Sequence, residues 1–573
     1  MNEHGACIVQ NDLTLLLETA HPSFEEARDR ISGFAELVKS PASFHTYRIT
    51  PLSLWNAAAA GVNAQEVILR LQQVSRWDIP LQVKDHISLW MSRYGRLVLY
   101  ASAAGKGCLE LKASDPQILD EIGGFKVLRN YGWRRLDPST AEIAGEYRGI
   151  LKMELTRLGY PVLDKAGYHS GSSLKLSLRT TTRKGTPFGL RDYQSDSIRS
   201  FIGESKNPGG SGVMVMPCGA GKTVIGLGSI AELQCETLIL TSNVTSVRQW
   251  IQEILDKTSL DEELIGEYSG ERKQVLPVTV STYQMLTHRS RKDEGFHHLP
   301  LLNSRDWGLI IYDEVHLLPA PVFRATADIQ ATRRLGLTAT LVREDGREQD
   351  VFSLIGPKCC DLPWKDLESQ GWIARVKCTE IRVPMNPSLR EKYYYADERS
   401  KTRLAAENPA KLAEVSRLLK QHSGQQILII GQYVSQLKAL SIGLGVPVLT
   451  GQTSQEERAM LYTRFREGAI PVLIVSKVAN FAVDLPDASV AIEVSGSFGS
   501  RQEEAQRLGR ILRPKQGRNE AHFYTLVTDS SKERDYAEHR QLFLLERGYE
   551  YSIEYAEQEA STLSLSEDEV AEG

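Results

Sequence analysis

Pro217-Cys218-Gly219-Ala220-Gly221-Lys222-Thr223 follows the apolar run Val213–Val215 and opens a helical pattern. Glycines there let backbone N–H groups turn inward around a polyphosphate, and a helix N-terminus adds a positive field. In such a loop Lys222 reaches the outer phosphates and the Thr223 hydroxyl holds Mg²⁺. The usual first glycine is replaced by Met216, so the full loop pattern is not met, and Gly-Lys-Thr alone is a common tripeptide. The apolar run Leu309–Tyr312 ends in Asp313-Glu314-Val315-His316. Burying two adjacent carboxylates is costly unless something pairs with them. A magnesium ion accounts for Asp313 and an attacking water for Glu314; an exposed turn accounts for both without chemistry. Further on, Arg507, Arg510 and Arg513 recur every third residue within Gln506–Arg513, which aligns them on one helical face. Aligned guanidiniums repel unless they meet an anion, and a γ-phosphate held between two lobes is such an anion. A solvated face is the plainer reading for Arg507.

The elements that must position these residues are short apolar runs alternating with helical patterns. Val213–Val215, Thr237–Leu240, Val278–Ser281 and Leu309–Tyr312 read as buried parallel strands. Ile427–Ile430, Pro471–Val475, Val490–Val494 and His522–Leu526 form a second set. Between them Ser454 and Glu457 make a capping box, and Gly468 ends that helix. Two such arrays predict an α/β chain with two tandem doubly wound parallel-sheet domains, preceded by a mixed N-terminal region. In that region Phe24–Val38 reads as one amphipathic helix, Leu97–Tyr100 as a strand and Ile143–Leu158 as a helix. Trp55, Ile68, Leu71, Trp77, Ile87, Leu89 and Trp90 read as core. Ser170–Gly189, rich in Ser, Thr, Gly, Lys and Arg, reads as a linker.

Composition sets the class. With 573 residues, 41% hydrophobic and 24% charged, the chain is long enough for three to five globular domains and is neither collagenous nor wholly disordered. No stretch of eighteen apolar residues occurs, and acids precede the first basic residue, Arg28, unlike a secretory signal. Seven scattered cysteines suit a reducing compartment and argue against a disulfide frame or a zinc site. The net charge is −4, but Glu550–Gly573 holds eight acids and no Lys or Arg, so the remainder is net positive. Lys175, Arg179, Arg183, Lys184 and Arg191 form an acid-free basic stretch, and a second strip runs from Arg501 to Arg518. Such strips fit a polyanion ligand or a solvated surface. The tail after Tyr555 is expected to be disordered, either for solubility or as a competitor for the basic cleft.

Together these segments resemble the XPB family of superfamily-two DNA helicases. Pro217–Thr223, Asp313–His316, the run Leu335-Gly336-Leu337-Thr338-Ala339-Thr340-Leu341-Val342-Arg343-Glu344-Asp345 and Gln506–Arg513 carry the likeness, and Leu190–Gln194 resembles its adenine-reading motif. Thr50–Ala57 resembles part of the family's N-terminal domain. The resemblance implies that Arg191 and Gln194 grip adenine beside Gly219, Ala220 and Gly221. It implies that His316 and Gln506 bridge to the γ-phosphate, that Asp484 contacts the nucleotide, and that Arg510 and Arg513 act from the second lobe. Thr338, Thr340 and the Arg343-Glu344-Asp345 element would couple ATP state to DNA. Ser388–Asn408, with Tyr393-Tyr394-Tyr395, resembles a thumb insertion beside DNA; plain helix packing is the alternative. Lys477–Phe481 departs from the family's glycine-bearing pattern.

The resemblance therefore implies an ATP- and Mg²⁺-dependent 3′→5′ DNA helicase, cytoplasmic and nucleoid-associated, acting in repair, with DNA and a repair nuclease as expected partners. A double-strand translocase and a non-catalytic ATP-binding scaffold are the rivals. The expected domains are 1–100 (N-terminal), 101–185 (intermediate, with the basic linker), 186–363 (first lobe with the ATP site), 364–549 (second lobe with the thumb) and 550–573 (acidic tail).

Overall fold

The computed structural model describes residues 5–40, 43–102, 107–125, 131, 133–204, 207–217, 219–289, 296–330, 332–341, 343, 346–362, 364–476, 488–496, 519–546 and 549–556. Each apolar run named above is a strand. The first lobe is a seven-stranded parallel sheet in the order Ile265–Tyr268, Val278–Thr282, Thr237–Thr241, Leu309–Asp313, Arg333–Thr338, Ser211–Val215, Lys358–Asp361. The second is also seven-stranded and parallel: Val448–Leu449, Val472–Ser476, Ile427–Gly431, Val490–Glu493, Glu520–Thr528, Arg375–Val383, Glu550–Tyr555. Strands buried on both faces read as continuous apolar runs, as they do here. One hydrophobic cluster is continuous from Met214 and Ile239 of the first lobe to Leu428 and Ile430 of the second.

Ahead of the lobes lie a four-stranded antiparallel sheet within Cys7–Arg48, covered by helices up to Arg93, and a five-stranded sheet spanning Leu97–Asp164. The boundary therefore falls before Leu97 rather than at residue 100, because Leu97–Ala101 pairs with Cys108–Ala113 and Val162–Asp164. Phe24–Val38 is not one helix. It is a helix over Phe24–Ile31 and a strand over Glu36–Lys39, split at Ser32-Gly33. Glycine is a poor helix former, and beyond it only Leu37 of the strand is buried. Likewise Ile143 and Ala144 end a strand, and the helix begins only at Arg148, after Gly145. Trp55, Leu71 and Ile87 are buried as expected, but Trp77 and Leu89 are 56% and 49% exposed.

The basic linker is not free. It bridges to the first lobe at Ser173–Cys235 and Leu178–Thr258. Arg179 Nε donates to the Thr258 carbonyl at 2.6 Å and Arg183 Nη2 to that of Leu260 at 3.3 Å, at the carboxyl end of helix Val244–Lys257. Cations there complement the helix dipole, so these arginines are engaged within the protein. The acidic tail does not begin at residue 550: Glu550–Tyr555 is a strand paired along Lys377–Arg382, with the Tyr551 hydroxyl donating to Glu380 at 2.6 Å.

The N-terminal unit touches both lobes. Asn56 Oδ1 accepts from the Lys358 N–H at 3.0 Å, and Trp55 lies 6.2 Å from Phe352. Leu542, on the second-lobe helix Lys532–Glu546, is buried inside the core of the N-terminal unit, with Leu545 against it. A cavity of about 830 Å³ separates Arg28, Glu36 and Arg70 from Thr340, Leu341 and Glu348.

Candidate active site

The phosphate-loop segment leaves strand Ser211–Val215 and enters helix Lys222–Leu233. Gly219 and Gly221 have φ of 85° and 86°, a left-handed backbone suited to glycine. A Cβ on Gly221 would also lie 2.6 Å from Gln194 Nε2. The loop is thus closed onto Leu190–Gln194: Gln194 Nε2 donates to the Ala220 carbonyl at 3.2 Å, and the Tyr193 hydroxyl donates to the same oxygen at 2.7 Å. Arg191 Nη1 in turn donates to the Tyr193 hydroxyl at 3.0 Å.

Asp313 ends its strand and Glu314 follows with φ 51°, an uncommon value outside glycine. That turn brings the Glu314 carboxylate into an ion pair with the Lys222 ammonium. Asp313 Oδ2 accepts from the Trp250 indole N–H at 2.8 Å, and the Asp313 carbonyl accepts from the Tyr283 hydroxyl at 2.8 Å. Desolvation and the Glu314 charge push the Asp313 carboxyl up to about 6, against the pull of Lys222. Two carboxylates here face one ammonium, and a divalent cation would balance that excess negative charge. The hard oxygens of Asp313 and Thr223 suit Mg²⁺.

His316 is 4% exposed, and burial holds its imidazole down to about 4, so the ring is neutral at physiological pH. Its Nδ1 lies 2.7 Å from Thr338 Oγ1 and 3.6 Å from Glu314 Oε2. Thr338 Oγ1 bonds to the Thr340 carbonyl at 2.6 Å. Arg343 Nη1 donates to the His316 carbonyl at 2.5 Å and Nη2 to that of Leu318 at 3.2 Å. A chain of polar contacts therefore links the strand-end acids to the Thr338–Thr340 segment. Buried polar networks of this kind fix one arrangement of their members.

The structure thus brings together Arg191, Gln194, Gly219, Ala220, Gly221, Lys222, Thr223, Asp313, Glu314, His316, Thr338, Thr340 and Arg343, all on the first lobe. Glu344, Asp345, Asp484, Gln506, Arg507, Arg510 and Arg513 lie outside the described residues, as does the departure at Lys477–Phe481. The thumb segment is two helices, Pro387–Tyr395 and Glu398–Ala406. Its tyrosines divide: the Tyr393 oxygen accepts from the Lys532 N–H at 2.9 Å, whereas Tyr394 and Tyr395 are 76% and 79% exposed.

Comparison with known proteins follows this geometry. The ERCC3/RAD25/XPB C-terminal helicase family matches residues 367–570, the type III restriction enzyme res subunit family matches 187–343, and a helicase conserved C-terminal domain family matches 7–137. The chain is 49% identical over 549 residues to the DNA 3'-5' helicase XPB of Kineococcus radiotolerans, covering 96% of each chain. The chain belongs to the XPB family. It is also 50% identical over 553 residues to the DNA 3'-5' helicase XPB of Mycobacterium tuberculosis, covering 96% of this chain and 98% of that one. Against the general transcription and DNA repair factor IIH helicase/translocase subunit XPB of Antonospora locustae the identity is 32% over 572 residues, 96% of this chain and 82% of that one.

Three residues of this XPB-family site escaped the sequence reading. Trp250 reaches Asp313 from a helix 63 positions earlier, and Tyr283 reaches it from the turn after Val278–Thr282. Trp372, from the start of the second lobe, lies against Arg191. No spacing rule connects them to the motifs they touch.

Proposed function

We propose that this chain is an ATP-driven DNA helicase that moves 3′→5′ and acts in DNA repair. The observation that carries the reading is the joining of Lys222, from the glycine loop, to Glu314, beside Asp313, at the carboxyl ends of a parallel sheet. Nucleotide sites of open α/β sheets lie at such ends. In this reading Lys222 neutralises the outer phosphates and Glu314 orients the attacking water. His316 relays the state of the site to Thr338 and Thr340. Asp313 and Thr223 would hold Mg²⁺, which when bound supplies charge neutralisation at the phosphates. Gln506, Arg510, Arg513 and Asp484 would complete the site from the second lobe, where one arginine contributes about 10³–10⁵ in rate. The exposed Tyr394 and Tyr395 would stack on unpaired bases, each worth about 1–3 kcal/mol. The names carried by the bacterial relatives support polarity and substrate; those of the eukaryotic relatives support repair. We place the protein in the cytoplasm with the nucleoid; among the described residues no helix is long and apolar enough to cross a membrane.

The test is ATP hydrolysis with single-stranded, forked and duplex DNA, paired with strand displacement. The expected result is hydrolysis stimulated by DNA and displacement only from substrates with a 3′ tail. Hydrolysis without displacement, together with removal of a triplex-forming strand, would establish a double-strand translocase instead. That second reading draws on the helicase/translocase wording of the eukaryotic relatives' names. No hydrolysis with any DNA would leave the binding scaffold.

A further inference from the structure

The loop between helix Trp364–Ser369 and strand Arg375–Val383 is built to hold one aromatic plate. Gly371 turns it with φ 74°. Asn519 Nδ2 donates to the Gly371 carbonyl at 3.3 Å and to the Ile373 carbonyl at 3.0 Å, so the backbone is pinned on both sides of Trp372. The Trp372 indole N–H donates to Gln370 Oε1 at 3.1 Å, which fixes the ring edge. All these partners belong to the second lobe. The ring face, 36% exposed, instead meets the first lobe: the Arg191 guanidinium lies 4.3 Å from the ring centroid, and Tyr193 lies 6.5 Å away at 56°. Arg191 donates to the Tyr193 hydroxyl, which in turn donates to the Ala220 carbonyl of the phosphate loop. On the nucleotide-site reading above, a nucleoside whose phosphates occupied that loop would place its base beside these two residues.

We propose that Trp372 is a base-positioning residue of the nucleotide site, contributed by the second lobe. Its indole fixes the plane of the Arg191 guanidinium, and so the direction in which Arg191 donates to the base. A planar cation is strongly oriented by stacking on an indole, whereas a bare triphosphate requires no such orientation. Base recognition is then shared between the lobes, while phosphate recognition stays on the first. The inference rests on the nucleotide-site reading above, but its test is equilibrium binding and does not require turnover.

The experiment measures affinity of the full-length protein for a fluorescent ATP analogue and, by displacement, for inorganic tripolyphosphate. The variants are Trp372→Phe, which keeps a ring, and Trp372→Leu, which keeps bulk without one. Trp372→Leu is expected to weaken the ATP analogue about tenfold, the scale of a partly desolvated cation–π contact. Tripolyphosphate binding should stay within about twofold of wild type, and Trp372→Phe should retain most of the ATP affinity. Three results would overturn the proposal: unchanged ATP binding in Trp372→Leu, an equal loss for tripolyphosphate, or a loss in Trp372→Phe as large as in Trp372→Leu. If wild type binds the analogue and tripolyphosphate equally, no base is read and the nucleotide-site reading itself fails.

Discussion

The Lys222 ammonium and the Glu314 carboxylate are joined in an ion pair across 92 residues of sequence. An incoming γ-phosphate would compete with Glu314 for Lys222, so binding and activation of the site are one exchange of partners. Both side chains are largely shielded from solvent, which makes that exchange consequential.

Lys222→Ala and Glu314→Gln should both abolish ATP turnover but diverge in binding. Removing the ammonium weakens ATP, whereas the amide releases Lys222 from its charged partner and should leave ATP bound as tightly as in wild type, or more so. Equilibrium nucleotide binding beside single-turnover hydrolysis checks this; equal weakening in both variants would sink the exchange.

Trp250→Phe keeps the packing of a buried ring but removes the N–H that Asp313 accepts. Groups that orient a metal-binding carboxylate are worth roughly tenfold or more in activity. The expected outcome is a fall of about tenfold in kcat with a higher Mg²⁺ requirement. A Mg²⁺ titration of the ATPase identical to wild type would show that the indole serves only as filler.

Thr338→Ala breaks the contact with His316 while leaving Lys222, Asp313 and Glu314 in place. ATP hydrolysis should persist within a few-fold, while strand displacement per ATP consumed falls sharply. Parallel ATPase and displacement assays measure the ratio. A proportional loss of both would move Thr338 from coupling to chemistry.

His45 gives the N-terminal unit an acid-sensitive point. It is 5% exposed, its Nδ1 has no hydrogen-bond partner among the described residues, and burial with the Arg28 charge beside it pushes its imidazole down to about 4. The unfolded imidazole titrates near 6.5, so the unfolded chain takes up the proton first as pH falls. The contribution of neutral His45 is complete above about pH 6.5 and is lost as pH falls through the interval to about 4. The melting temperature of His45→Phe should therefore depend less on pH than that of wild type between pH 6.5 and 4. Parallel curves would refute the assignment.

Truncation separates the two parts of the C-terminal segment. Ending the chain at residue 556 leaves the last strand paired along Lys377–Arg382 and should leave the melting temperature unchanged. Ending it at residue 549 exposes the edge of Arg375–Val383 and removes the Tyr551–Glu380 bond, and should lower it by several degrees. Thermal melts of the two truncations decide this. A low-salt DNA affinity that rises on the shorter deletion would add competition by the tail.

Much of the first lobe's site was legible, because its chemistry sits where strands end and apolar runs mark those ends. Val213–Val215 and Leu309–Tyr312 locate Lys222 and Asp313 with no knowledge of tertiary contacts. Trp250 and Trp372 were not legible, since their roles come from packing between elements that no sequence period relates. Periodicity also misled at Phe24–Val38, where Phe34 and Leu37 continue a helical spacing across Gly33 yet lie in the turn and the strand that follow it. Composition misled at Glu550–Tyr555, where two acids hide an edge strand whose stability comes from backbone pairing rather than burial. The partners of the basic linker were not legible either: Arg179 and Arg183 donate to the Thr258 and Leu260 carbonyls just past helix Val244–Lys257.

Leu542, buried in the N-terminal core, has a bearing on how the chain is made. The N-terminal unit leaves the ribosome lacking one of its own core side chains until roughly 450 further residues have been synthesised, a wait of tens of seconds at ordinary elongation rates. During that interval the place that Leu542 takes in this core stands open. The N-terminal unit can begin its collapse early, but it closes only when the last long helix of the second lobe arrives. The N-terminal unit and the second lobe are thereby committed to one another, and a release of the chain before Leu542 leaves an N-terminal unit that was never sealed.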